Sequence, residues 1–126
     1  MSRSRNYRLG DLQLKIMKVL WERPCGVAEV HQALSDSGLA YTTVATMLRK
    51  MDARGLVRHR EEGRRFIYQA VVRPEDVTRS MAGDVLERLF EGRLADLVSH
   101  LLATREVSRD ELAELERLIA ERKKQT

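Results

Sequence analysis

Cysteine occurs once in the 126 residues, at Cys25, so no disulfide can form within the chain, and a reducing, cytoplasmic setting is expected. Histidine occurs three times, at His31, His59 and His100, with no spacing that would gather metal ligands. Glycine-rich phosphate loops and nucleophile motifs are missing. Catalytic residues, a metal site and a cofactor are therefore not expected, and an enzyme such as a small Ser/His hydrolase is disfavoured. The apolar runs are a few residues long, too short to span a bilayer, so direct membrane insertion is not expected. The opening segment, MSRSRNYRLGD, is basic with no apolar stretch behind it, unlike a secretory signal.

What is present is a foldable chain with an uneven charge. Hydrophobic residues make up 43% and charged residues 33%, the balance of a soluble globular protein rather than a disordered one. The formal net charge is +4. Residues 1–72 hold 13 Lys/Arg against 7 Asp/Glu, whereas residues 73–126 hold 10 against 12. A polyanionic partner would therefore meet the front of the chain.

The front reads as three helices and a hairpin. DLQLKIMKVLWER places Leu12, Ile16, Val19 and Leu20 at helical spacing before Pro24 and Gly26 interrupt it. VAEVHQALSDSG gives a short second helix through Val27, Val30 and Leu34. A third runs from Tyr41 to a stop at Gly55. LVRHR and RFIYQAVV then read as strands around EEGRR, with Gly63 where a tight hairpin needs a positive φ.

Composition shifts at Arg73-Pro74, where Pro74, Glu75 and Asp76 suit a helix start. An apolar stripe follows through Val77, Met81, Val85, Leu89 and Phe90. After Gly92 it continues through Leu94, Leu97, Val98, Leu101 and Leu102. Ser108 and Glu111 form a capping box ahead of a last helix bearing Leu112, Leu115, Leu118 and Ile119. Three short amphipathic helices make little core alone, so a second copy of the chain is the expected cover. The alternative is that they fold back on the front domain of a monomer.

The third helix points to function. At about 100° per residue, Val44, Met47, Leu48 and Met51 share one narrow sector. Thr42, Thr46 and Arg49 lie opposite, Lys50 at the edge and Thr43 on the flank. Such a face suits the DNA major groove: threonine offers a methyl and a hydroxyl to base edges, arginine grips guanine through two hydrogen bonds, and lysine holds a phosphate. Two helices precede it in helix-turn-helix order. The hairpin puts Arg64 and Arg65 at its tip, beside Arg58 and Arg60, as a wing able to reach the backbone. Alternatives remain: a solvated helix face, a hairpin made soluble by charge, or a protein-interaction adaptor without specific DNA binding.

The segments LGDLQLKIMKVLW, VAEVHQAL, AYTTVATMLRKMDARGLV, GRRFIYQAVV and VSRDELAELERLI together resemble the penicillinase-repressor (BlaI/MecI/CopY) family of bacterial transcription factors, over nearly the whole chain. The third segment is the most specific. The resemblance implies a mainly α fold with a small β-hairpin wing: a winged helix-turn-helix DNA-binding domain over 1–72 and a helical dimerisation domain over 73–126. It also implies a homodimer on a dyad-symmetric double-stranded DNA operator, repressing transcription. Its recognition positions carry over onto Thr42, Thr43, Thr46, Arg49 and Lys50, and its wing onto Arg64 and Arg65.

In one branch of that family a membrane sensor-protease releases the repressor by cutting an Asn-Phe bond. This chain has no such pair: its single asparagine, Asn6, precedes Tyr7, and His100-Leu101 lies nearest the expected place. In the copper-responsive branch the tail carries clustered cysteines, whereas here it reads ERKKQT.

Overall fold

A computed structural model describes residues 7–126 of the chain; most of the basic opening segment lies outside the described residues. The chain divides into two compact units, Met1–Gly83 and Asp84–Thr126.

Helix α1 spans Asp11–Glu22. It starts where the Gln13 side chain accepts the Gly10 N–H at 3.1 Å, supplying a partner for an amide the helix leaves open. It buries Ile16, Met17 and Leu20. A two-residue strand, β1 (Cys25–Gly26), follows, then α2 (Val27–Ala33) and a 3-10 turn over Ser35–Ser37. Helix α3 spans Tyr41–Ala53. The chain reverses at Gly55 into β2 (Val57–Glu62) and β3 (Arg65–Ala70).

The sheet has the order β1-β3-β2, antiparallel throughout. Glu62 pairs with Arg65, leaving a two-residue loop of Gly63 and Arg64. Gly63 takes φ +66°, the positive value that such loops demand and that L side chains adopt with strain. The short β1 pairs Cys25 with Tyr68 and Gly26 with Ile67, so the middle of β3 is anchored along the edge away from β2.

One core holds these elements. Ile16, Met17, Val30, Val44, Leu48 and Met51 are fully enclosed, joined by Leu56, Val57, Tyr68 and Val72. No polar or charged residue is buried among the described residues, so burial of apolar surface is the main favourable term. The Trp21 indole N–H donates to the Val72 carbonyl at 2.8 Å, fixing the end of β3 against α1.

Helix α4 (Pro74–Phe90) runs on from this core. The stripe expected from Val77 onward divides within it. Val77 is only 2% exposed and belongs to the first unit's core, with Met81 packed beside it. Ser80 accepts the Tyr7 N–H at 2.7 Å on the same stretch. The composition shift at Arg73-Pro74 therefore lies inside the first compact unit. An apolar stripe says that a face is covered, not what covers it.

Gly83 stands inside α4, yet an added Cβ there would meet no atom within 4 Å. Glycine costs a helix interior about 1 kcal/mol relative to alanine. Gly83→Ala should therefore raise stability by about 0.5–1 kcal/mol in thermal or denaturant unfolding; a lower stability would mean that the position needs its freedom.

The second unit holds the end of α4, then α5 (Leu94–Thr104) and α6 (Arg109–Lys124). Ser108 caps α6, its hydroxyl accepting the Glu111 N–H at 3.0 Å. Neither α5 nor α6 buries a single residue. Leu89 is 71% exposed, and Val85, Leu94, Val98, Leu101 and Leu118 are exposed with it, while Leu97 and Leu115 are half-buried. Among the described residues no helix is long and apolar enough to cross a membrane.

Candidate nucleic-acid interface

The geometry of α3 follows from which of its residues the core takes. Val44, Leu48 and Met51 are buried at spacings of four and three, with Met47 half-buried beside them. That leaves Thr42, Thr43, Thr46, Arg49 and Lys50 exposed on the remaining faces. Arg49 Nη2 donates to Thr46 Oγ1 at 3.4 Å, laying the guanidinium along the outer face one turn back. Lys50 has no ion pair among the described residues.

Two histidines hold the approaches to this helix. His31 Nε2 donates to the Leu39 carbonyl at 2.8 Å, bracing the turn between α2 and α3, and its ring meets Tyr41 edge-on at 5.8 Å. His59 on β2 pairs with Asp52 near the end of α3 and lies 4.4 Å from the Phe66 ring and 5.7 Å from Tyr68. The His59–Asp52 contact thereby ties the hairpin to α3, while the three rings pack against one another within the hairpin. Burial holds the Tyr68 phenol above its ordinary value, the Asp52 charge adding to the effect, so it stays neutral.

The cations of the hairpin are not equivalent. Arg64, in the loop, and Arg58, on β2, make no ion pair among the described residues. Arg60 is engaged by Glu62 at 3.1 Å and donates to Gln69 as well. Arg65 turns away from the tip toward α2, where its Nη2 donates to Glu29 Oε1 at 2.7 Å. Glu29 also accepts the Gly26 N–H at 2.8 Å. That backbone bond, more than the nearby Arg65 charge, holds the Glu29 carboxyl below its ordinary range against the opposing effect of partial burial.

The surface so formed carries five hydroxyl or cationic side chains on α3 and unpaired arginines on an adjoining hairpin. It offers hydrogen-bond donors and positive charge in abundance. No group of three or more His, Cys, Asp or Glu residues among those described could hold a metal. Sequence reasoning did not find the Glu29 contact, whose partners lie 36 residues apart, nor the roles of His31 and His59. Only the half capping box formed by Gly26 and Glu29 gave a local sign of it.

Known proteins resemble this chain in sequence and in fold. The sequence profile of the penicillinase-repressor family matches residues 9–121. The penicillinase repressor of Bacillus licheniformis is 29% identical over 118 residues, 92% of each chain. The transcriptional regulator BlaI of Mycobacterium tuberculosis is 35% identical over 119 residues, 90% of this chain and 84% of that one. The solution structure of the DNA-binding domain of the repressor BlaI superposes with a TM-score of 0.51 at 29% identity, over 59% of this chain and 93% of that domain. With the three-helix core, the winged hairpin and a match along most of its length, the chain belongs to the penicillinase-repressor family, whose members are DNA-binding transcriptional repressors and not enzymes.

Proposed function

We propose that the chain represses transcription as a homodimer on a dyad-symmetric operator, with α3 of each copy seated in the major groove. The observation that carries this reading is the division of α3: Val44, Leu48 and Met51 wholly enclosed, and Thr42, Thr43, Thr46, Arg49 and Lys50 facing out. Threonine and arginine read base edges; Lys50 and the wing arginines, Arg64 and Arg65, hold phosphates. The exposed rows at Val85, Leu89, Leu94, Val98, Leu101 and Leu118, with Leu97 and Leu115, would cover one another across the pair.

The division of labour is testable. Arg49→Ala should relax base preference at one position of each half-site, a loss of about 1–3 kcal/mol in discrimination. Arg64→Ala should weaken binding evenly across sequences and make the salt dependence shallower by about one contact. Selection from a random duplex pool, followed by titrations at several salt concentrations, separates the two. Equal loss of base preference in both variants would defeat the assignment.

Release by an upstream signal, such as a membrane sensor-protease, belongs to the same reading. His100-Leu101 lies within α5, where the backbone is hydrogen-bonded into a helix, so cutting there needs local opening. Recovery of the uncut chain after induction would remove the protease from the scheme.

A further inference from the structure

Glu29 Oε1 accepts two hydrogen bonds, from the Gly26 main chain at 2.8 Å and from Arg65 Nη2 at 2.7 Å. The first comes from a residue paired into the sheet, so the carboxylate is held from behind and the arginine is the partner free to move. Both side chains are open to water, Arg65 at 57% and Glu29 at 41% exposure. Beside them is a notch of about 280 Å³ bounded by Val27, Ala28, Tyr41, Arg64 and Phe66. It lies between the hairpin and the first residue of α3, the helix whose outer face carries the threonines.

A notch flanked by two guanidiniums next to such a face suits an anionic oxygen of a nucleic-acid backbone. Glu29 already presents one to Arg65. A phosphate brought to Arg65 without displacing Glu29 would sit close to a like charge. Ion pairs this exposed are weakly held, so the exchange is accessible.

We infer that Glu29 acts as an internal stand-in for a DNA phosphate: it holds Arg65 in the free protein and must be displaced by the phosphodiester of a bound duplex. The inference rests on the DNA-binding reading and adds a residue to it. Attraction to phosphates is the sequence-independent part of DNA binding. A fixed carboxylate that competes for one of the cations lowers that part. Glu29 thus sets the strength of duplex binding while touching no base.

The full chain is titrated with a random-sequence duplex over a series of salt concentrations. Glu29→Gln keeps an oxygen for the Gly26 N–H and removes the charge. It should bind several-fold more tightly at about 0.1 M salt, with the log–log salt slope little changed, because Arg65 meets a phosphate in both proteins and only the competing carboxylate charge is gone. In an Arg65→Ala background the same substitution should give little gain. Unaltered or weaker binding by Glu29→Gln overturns the inference. So does an equal gain in the Arg65→Ala background, which would make the effect one of overall charge. If the unsubstituted chain shows no salt-dependent binding to any duplex, DNA binding itself fails and Glu29's role with it; salt-dependent binding whose strength Glu29→Gln leaves untouched overturns only the role of Glu29.

Discussion

Leu48→Ala should remove about 2–5 kcal/mol of stability from the first unit, the cost of deleting a large side chain from a site that cannot fully collapse. Leu48 is wholly enclosed and lies on α3 among Ile16, Met17, Val44 and Met51. A domain of this size is stable by only about 5–15 kcal/mol, so the loss is a large fraction of the whole. At roughly 4–8 °C per kcal/mol, the melting temperature should fall by tens of degrees. Thr46, two residues earlier, is the internal comparison. It is exposed, and Thr46→Ala should change stability by no more than about 0.5 kcal/mol. Calorimetry on the two variants decides the matter. Comparable losses would mean that α3 is not divided into a buried and an open face, and the reading of that face as a DNA-contacting surface would go with it.

The second large effect concerns length. A chain stopped at Gly83 keeps Val77 and Met81, and with them the whole core of the first unit. It lacks α5 and α6 and their exposed leucines. In the proposed dimer, two reading helices share one binding event, and joining them raises the apparent affinity by about 10²- to 10⁴-fold without a new contact to DNA. The shortened chain should therefore sediment as a folded monomer and bind a selected operator more weakly by a factor of that order. The place of the cut matters. Ending at Val72 would also remove Val77, Ser80 and Met81, confusing lost pairing with a damaged core. Undiminished affinity of the Gly83 form would show that the second unit does not assist binding.

Much of the fold was legible because the signals were local. Periodicity located the six α-helices of the described residues, Gly63 announced the hairpin, and the Ser108/Glu111 box marked the start of α6. The two-residue β1 was not legible, since strand alternation needs more residues than two. The apolar face of α4 was found, but its division between a core at Val77 and an open row from Val85 was not. Periodicity fixes which side of a helix is apolar and says nothing about what lies opposite. The outward face of α3 was readable from its buried one. The different standing of Arg64 and Arg65 was not, because Arg65 is engaged by a carboxylate on another element, and only the folded chain brings them together.

The open rows on α5 and α6 carry a consequence for dosage. If pairing is what covers them, the folded unit and its partner copy are linked by mass action, and dilution removes both together. At low abundance the paired form then grows with the square of the number of chains made. Halving synthesis would empty promoters by more than half, and derepression would be abrupt rather than graded.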